Sequence, residues 1–172
     1  MMALALITDA LLGWPERLYA RIGHPVTWMG ALISALEVRL NRGRVWSRRS
    51  FGAVTVCAVI AASVAPAALL QGLLPSGVAG LVMGGLLAWP LIAARSLHEH
   101  VAAVARPLAA GDLAAARGAV AMIVGRDTRD MDEADVARAA IESAAENLSD
   151  GVIAPAFWFL VAGLPGLLLY KV

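Results

Sequence analysis

Two glutamates one helical turn apart form the sharpest chemical pattern in this sequence. Glu142 and Glu146 are four residues apart in a segment typical of a helix, so they lie on one face, and Asp150 extends that line if the helix persists. Like charges at this spacing repel by roughly a few tenths of a kcal/mol, a penalty that a cation such as Mg²⁺ would remove. The same face could instead be only a solvated surface opposite an apolar stripe, formed by Ala137, Ile141, Ala144 and Leu148. The acidic face leads directly into an apolar run from Val152, and ionisable groups beside a bilayer indicate function.

A second group of polar residues, Gly125-Arg126-Asp127-Thr128, precedes that helix. Backbone N–H groups at a helix start favour anions, and an arginine presents a fork of donors to phosphate. An Arg–Asp pair at a helix junction can also be purely structural. No G-x-x-x-x-G-K-[ST] loop occurs in the chain, so a Walker-type nucleotide site is excluded.

The elements that would position these residues belong to a membrane protein. The 172 residues are 60% hydrophobic, only 16% are charged, and no charged residue or histidine occurs between Ser50 and Ala94. About 20 apolar residues cross a bilayer as a helix, so we predict spans at 51–74, at 77–94 with a kink at Pro90, and at 152–169. Cys57 is expected to be a small buried hydrophobe. Residues 1–12 form a short apolar segment, and residues 25–40 form a helix of interfacial character.

A basic cluster precedes the first long span, and it sets the predicted topology: Arg39, Arg42, Arg44, Arg48 and Arg49. By the positive-inside rule this loop is cytoplasmic. Two crossings then return Arg95 to the cytoplasm. We do not expect nucleic acid as a partner, because the cluster is flanked by membrane segments.

The polar segment between the spans is predicted to be helical. Leu97, Val101, Val104 and Leu108 mark an apolar stripe that ends before Gly111. Asp112 is a predicted N-cap of a second helix that ends at Gly125, and Asp130 with Glu133 predicts a capping box for a third helix over 131–148. The predicted fold class is all-α: a polytopic helical membrane protein with an N-terminal membrane region (1–94), a cytoplasmic helical insertion (95–151) and a further transmembrane helix (152–172).

Several stretches of sequence together resemble the adenosylcobinamide-phosphate synthase family of cobalamin biosynthesis. The most specific lie between Val124 and Trp158, and the resemblance covers nearly the whole chain. The specific stretches are Ile123-Val124-Gly125-Arg126-Asp127-Thr128, Ala137 to Ser143, Ala145-Glu146-Asn147 and Asp150 to Trp158. Three further groups support the resemblance: His24-Pro25-Val26 with Gly30, Arg95-Ser96-Leu97 with His100, and Gly111-Asp112-Leu113 with Ala116-Arg117.

The resemblance implies an ATP-dependent carbon–nitrogen ligase of the bacterial inner membrane. Such an enzyme joins adenosylcobyric acid to aminopropanol or its O-phosphate, with ATP and Mg²⁺ and no bound metal cluster. The implied partners are the corrinoid and amine substrates, membrane lipid, and further copies of the chain or other membrane enzymes of the corrin pathway. The family continues beyond Val172 into a further half, so the chain is expected to be truncated.

The resemblance also implies roles for individual residues. The expected catalytic residues are Glu142, Glu146, Asn147 and Asp150; the expected phosphate-binding residues are Gly125, Arg126, Asp127 and Thr128; the expected substrate-binding residues are His24 and Arg138; and the expected metal ligands are Glu142 and Glu146.

Two other classes of function remain open on the sequence alone. One is a non-enzymatic membrane subunit or an inactive fragment. The other is a membrane phosphotransferase, suggested by Asp150-Gly151 at a membrane edge, although Asn147 and Pro155 depart from the motif that such enzymes require.

Overall fold

The chain folds into helices joined by short connections, as the all-α prediction requires. The computed structural model describes residues 1–41 and 45–172, with only the backbone described at 46 and 47; Arg42 and Arg44 of the basic cluster lie outside the described residues. The helices are α1 (Met2–Leu12), α2 (Glu16–Ile22), α3 (Pro25–Leu40), α4 (Val45–Gly72), α5 (Val78–Ala88), a 3₁₀ turn (Trp89–Leu91), α6 (Ala94–Ala109), α7 (Leu113–Val120), α8 (Glu133–Leu148), a π turn (Ser149–Ile153) and α9 (Ala154–Lys171). The predicted helix at 25–40 is confirmed at both ends, whereas α2 was not foreseen.

The helices form two compact units. The apolar unit comprises Met1–Ile92 and Ala154–Val172, and the polar unit comprises Ala93–Ile153. By length and composition three described stretches can cross a membrane, namely Arg48–Gly72, Val78–Ala109 and Glu133–Lys171. Many large apolar side chains of the apolar unit are exposed, as expected for surfaces that face lipid tails. Cys57 is among the exposed residues, so its predicted burial is wrong.

Inside the apolar unit, α4 packs against α9, and one polar contact fixes a break in α9. Ala162 and Gly163 depart from helical geometry, with Gly163 at φ 65° and ψ −150°. The break frees the backbone N–H of Leu164, which donates to Oε1 of Gln71 on α4 at 2.7 Å. Backbone groups exposed at membrane depth need a partner within the protein. The predicted span at 152–169 lies within a stretch that is long and apolar enough to cross a membrane, and the break at Ala162 and Gly163 interrupts it.

Pro90 also has a larger effect than the predicted kink. The α-helix ends at Ala88, and Trp89–Leu91 form a 3₁₀ turn, after which Ile92 is extended. A proline lacks the N–H that an α-helical bond needs and crowds the preceding turn. The predicted span 77–94 is thus interrupted near its end.

Aromatic rings and His24 hold the start of α3. The Trp14 ring lies 5.2 Å from that of His24 and 5.6 Å from that of Trp89, centroid to centroid. His24 is the N-cap of α3, and its Nδ1 accepts a hydrogen bond from the backbone N–H of Val26 at 3.2 Å. An accepting Nδ1 carries no proton, so the ring is held neutral with its proton on Nε2. Burial lowers the pKa of His24 below its ordinary value of 6.5, Lys171 lowers it further, and a hydrogen bond with the backbone of Pro90 opposes both.

The polar unit is built by α6, α7 and α8 around a small core. Val104, Ala116, Val120, Val136, Ala139 and Ala140 are its buried members, and Leu108 packs against them. Val104 and Leu108 confirm part of the predicted stripe of α6. On α8 the buried positions are Val136, Ala139, Ala140 and Ser143, while Ile141 is 70% exposed and Leu148 is 45% exposed. The predicted stripe through Ile141 and Leu148 is therefore wrong, because small residues let α8 approach its neighbours through a different face.

The ends of α7 and α8 also differ from prediction. Asp112 caps α7 as predicted, accepting from the backbone N–H of Ala115 at 2.9 Å. The helix ends at Val120, however, and not at Gly125, which does not adopt the positive φ of a C-terminal glycine. Asp132, not Asp130, caps α8 by accepting from the N–H of Asp135 at 2.8 Å. The predicted capping box is wrong because the aspartate directly before the first helical turn is the one in reach.

We predict that Gly163→Ala destabilises the apolar unit by about 2 kcal/mol, because its backbone conformation is nearly exclusive to glycine. An added Cβ would also lie 2.0 Å from Gln71 Oε1. Gln71→Leu, which leaves the N–H of Leu164 unpaired, should cost about 1–3 kcal/mol. The free energy of unfolding in detergent micelles measures both effects.

Gly52→Ala on α4 is the matched control. An added Cβ at this position meets nothing within 4 Å, and replacing a helical glycine by alanine should raise the free energy of unfolding by about 0.5–1 kcal/mol. Equal stability of the Gly163 and Gly52 variants would contradict the described break.

We predict a pH-dependent loss of stability that depends on His24. Because the pKa of His24 is lowered in the folded state, the unfolded chain binds the proton more readily. The contribution is therefore fully present above about 6.5 and is lost as the pH falls from there through the lower folded pKa. His24→Asn keeps a capping acceptor but does not titrate, so its unfolding free energy should fall less between pH 7.5 and pH 5 than that of the unaltered chain. Parallel pH profiles of the two proteins would refute the role given to His24.

Candidate functional site

Two adjacent cavities lie in the polar unit, and most of the predicted site residues of α8 line one or the other. The larger has a volume of about 400 Å³ and lies between α6 and α8. The smaller has a volume of about 240 Å³. Both are lined by Ile123, Val124 and Ser143, so these three residues form the wall between them.

The wall exists because the chain after α7 is held against α8. Successive turns follow Val120, with the N–H of Ile123 donating to the carbonyl of Val120 at 3.0 Å. Ser143 is 95% buried on α8, and its hydroxyl donates to the carbonyl of Ile123 at 2.8 Å. Ile123 and Val124 also pack on the core. This non-helical segment places Gly125 and Arg126 at the smaller cavity.

The smaller cavity contains three charged side chains. Gly125, Arg126, Glu142 and Glu146 all line it. Arg126 Nη2 donates to Glu142 Oε2 at 3.0 Å, with both side chains more than half exposed (55% and 58%). Glu146 makes no ion pair with any described residue. Arg126 thus relieves the repulsion between the two glutamates, and the cavity keeps the charge of one carboxylate.

The remaining residues of the phosphate-binding prediction lie outside both cavities. The Asp127 carboxylate accepts from the Arg129 guanidinium, with Nη2 to Oδ2 at 2.5 Å, and this bond lowers the pKa of Asp127 and raises that of Arg129. Thr128 is buried, and its hydroxyl donates to the carbonyl of Arg117 at 3.2 Å. Arg117 in turn donates to the carbonyl of Met131 at 2.6 Å. These contacts shape the loop that presents Arg126.

Asn147 lines the larger cavity, and its Nδ2 donates to the Ser143 carbonyl at 2.8 Å and to the Ser143 hydroxyl at 3.2 Å. Asp150 belongs to the π turn and lines neither cavity, because the wider turn takes it off the line of Glu142 and Glu146.

Neither of the two predicted substrate-binding residues lines these cavities. Arg138 pairs with Asp135 at 3.3 Å on the exposed face of α8. His24 belongs to the apolar unit, where it caps α3. Their substrate contacts stay predictions.

Sequence reasoning missed three residues that line the larger cavity. Ser96 and His100 come from α6, and Ser143 comes from α8. Ser96, His100 and Ser143 belong to stretches that carry the family resemblance, but no spacing in the sequence predicts that they share a cavity. The cavity is recognised only when α6 is placed beside α8.

We predict that Ser143→Ala lowers the free energy of unfolding by about 1 kcal/mol, because it removes the partner of the Ile123 carbonyl. Ser149→Ala, at an exposed position of the π turn, should change it by less than about 0.5 kcal/mol. Chemical denaturation monitored by circular dichroism measures both variants. Equal effects would show that the Ser143–Ile123 bond does not hold the wall.

Comparison with known proteins places these features in a family. The family described as CobD/Cbib protein matches residues 2–172. Similar relatives named "Cobalamin biosynthesis protein CobD" come from Rhodobacter capsulatus (57% identity), a Sinorhizobium species (47%) and Rhizobium meliloti (43%). Each alignment covers 99% of this chain, but only 54%, 54% and 53% of the respective relative. The chain therefore spans about half the length of the curated relatives it matches. No solved structure matches.

The apolar helices and the match to this family define an all-α membrane protein. The chain belongs to the CobD/Cbib protein family.

Proposed function

We propose that this chain forms part of an ATP-dependent amide synthase of cobalamin biosynthesis. The reaction joins a propionate carboxylate of adenosylcobyric acid to the amine of aminopropanol or of its O-phosphate. Family membership and the names of the relatives support the pathway. The observation that carries the chemistry is the pair of adjoining cavities, which bring Arg126, Glu146 and Asn147 to one face of the polar unit.

The proposed chemistry proceeds in two steps. The carboxylate first attacks the terminal phosphorus of ATP, which gives an acyl phosphate and releases ADP. The amine nitrogen then attacks the acyl carbon, the bond from that carbon to the phosphate oxygen breaks, and inorganic phosphate leaves with the electron pair. The proton lost by the amine nitrogen needs an acceptor at the site.

Glu146 suits the role of that acceptor. It carries the one carboxylate of the smaller cavity without a partner among the described residues, whereas Glu142 is neutralised by Arg126. A positioned general base contributes about 10²–10⁴-fold to a rate.

Arg126 suits contact with a phosphate. The guanidinium has five N–H donors in a fixed fork, and the ion pair with Glu142 uses one of its nitrogens. The remaining donors are available to phosphate oxygens while the pair persists, and Gly125 leaves the backbone beside Arg126 open, because no atom lies within 4 Å of an added Cβ.

Glu142 and Glu146 would hold Mg²⁺ during phosphoryl transfer, and Glu146 would act as the base in the amide-forming step, after Mg·ADP has left. Among the described residues no group of three histidine, cysteine or acidic side chains could hold a metal ion. Two carboxylates are a donor set that suits Mg²⁺, which takes one or two carboxylates and completes its octahedral shell with water and nucleotide phosphates. When bound, such an ion would neutralise part of the negative charge of the nucleotide phosphates.

We place the protein in the bacterial inner membrane, with Arg95–Gly151 in the cytoplasm. The positive-inside rule supports this orientation, because Arg39, Arg48 and Arg49 precede the first long apolar stretch. ATP and the soluble amine would then reach the cavities from the cytoplasm, while lipid surrounds the apolar unit.

We predict that Glu146→Gln lowers amide formation about 100-fold, because a carboxamide cannot accept the amine proton. Glu142→Gln should lower it less, because Arg126 already neutralises that charge. The assay is mass-spectrometric detection of the amide from cobyric acid, ATP and aminopropanol phosphate. The chain is tested alone and joined to the part of the Rhodobacter capsulatus relative that this chain does not cover.

Glu133→Gln is the matched control, since Glu133 is exposed on the first turn of the same helix and lines neither cavity. It should keep full activity. Full activity of both Glu142→Gln and Glu146→Gln at normal protein levels would overturn the assigned roles. An extended, folded protein that makes no amide and restores no cobalamin to a strain lacking the family protein would overturn the proposed function in favour of a non-enzymatic subunit.

A further inference from the structure

The larger cavity has features that the proposed roles do not use. It has a volume of about 400 Å³, which suits a ligand of nucleotide size. Leu97, Met122, Ile123 and Val124 give it apolar walls, and His100 and Asn147 add polar groups. Among the described residues, no aspartate, glutamate, lysine or arginine lines it. An uncharged, largely apolar group with a few hydrogen-bonding atoms is therefore its natural occupant.

Backbone carbonyls fix the hydrogen-bonding character of both polar side chains. His100 Nδ1 lies 2.7 Å from the carbonyl oxygen of Ser96, and a carbonyl can only accept, so Nδ1 carries the proton. Asn147 Nδ2 likewise donates to the carbonyl of Ser143 at 2.8 Å. In the neutral imidazole the second nitrogen, Nε2, is then an acceptor, and so is Oδ1 of Asn147.

These two acceptors have no partner among the described residues. A ligand that satisfies both must bring N–H or O–H donors, and it must be uncharged where it meets them. An exocyclic amino group on a planar heterocycle has this character. Adenine presents such a group at N6, whereas guanine presents an acceptor, O6, at the same position.

The adjoining cavity extends this assignment along the ligand. Ile123, Val124 and Ser143 line both cavities, and Arg126 lines the smaller one. A nucleotide whose base occupied the larger cavity would therefore carry its phosphates toward Arg126. The larger cavity offers apolar walls to a base, and the smaller cavity offers the Arg126 cation to phosphates. Because the two cavities share a wall, this arrangement matches the order of groups in a nucleoside triphosphate.

We propose that the larger cavity is the adenine subsite, and that His100 Nε2 and Asn147 Oδ1 select ATP by accepting from its N6 amino group. The inference rests on the proposed use of ATP and names the residues that determine nucleotide specificity. A hypoxanthine or guanine base would set its O6 against two acceptors, and both acceptors would be left unpaired.

Equilibrium binding of Mg·ATP, Mg·ITP and Mg·GTP to the purified chain in micelles tests the proposal. ITP is the sharpest comparison, because it replaces the N6 amino group by O6. ATP should bind about ten- to a hundredfold more tightly than ITP or GTP, the range expected for one well-formed pair of base contacts. His100→Leu and Asn147→Leu should each bring ATP affinity close to that of ITP, with circular dichroism establishing that each variant is folded.

His98→Leu is the matched control, because His98 is exposed on the same helix and does not line the cavity. It should keep the preference for ATP. Should either leucine variant fail to fold, His100→Phe and Asn147→Asp replace it: phenylalanine keeps a ring without Nε2, and aspartate keeps the acceptor, so preference should be lost in the first and kept in the second.

The outcomes separate this inference from the proposed function. Selective ATP binding without amide formation would support the adenine subsite and remove the amide synthase. Amide formation with equal ATP and ITP affinity would support the amide synthase and remove the adenine subsite. The subsite is also overturned if ATP does not bind, if preference survives in Asn147→Leu and in His100→Leu or His100→Phe, or if aminopropanol competes with ATP.

Discussion

The candidate site depends on one hydrogen bond, from the buried hydroxyl of Ser143 to the carbonyl of Ile123. The segment after α7 is too short and too irregular to pack as a helix, and its backbone carbonyls need partners inside the polar unit. Ser143 supplies one of them from the buried face of α8. The segment is thereby held across that helix, so that one side of it faces His100 and Asn147 and the other presents Arg126 to the glutamates.

This arrangement also explains why a small unit can carry charge close to its core. The core of the polar unit consists largely of alanine and valine, and such small side chains let helices approach closely. Polar residues at the margin of the core then bond to backbone atoms of neighbouring segments, as Thr128 does with Arg117. The charged groups remain at the exposed ends of these contacts, where water still solvates them and the cost of desolvation is small.

Sequence reasoning reached the fold class and several local features for clear physical reasons. Apolar length predicts membrane segments, and His24-Pro25 and Asp112 are helix-start signals that act within a few residues, so α3 and the start of α7 were located correctly. What failed were features decided by contacts between helices. Ile141 was placed in an apolar stripe by periodicity, but packing through Ala139 and Ala140 turned it outward.

The candidate site shows the same contrast: features set by local spacing were predicted, and features set by contacts between segments were not. Spacing alone predicts that Glu142 and Glu146 share a face, and the structure places both at one cavity. Spacing cannot predict that Arg126, sixteen residues before Glu142, would neutralise it, or that His100 on α6 would share a cavity with Asn147 on α8. Those partners depend on where the loop between α7 and α8 turns, and the sequence signal at Gly125 indicated a different end for α7.

Gln71 has a consequence for how the apolar helices assemble. In a surface made mostly of methyl groups, many rotational settings of one helix on another have similar packing energy. A single amide that must meet the N–H of Leu164 removes that degeneracy, because advancing α4 by one residue would swing the amide about 100° around the helix axis. The azimuth and the axial register of α4 on α9 are thereby set by one directional bond, in surroundings where apolar contact alone would permit the two helices to slide.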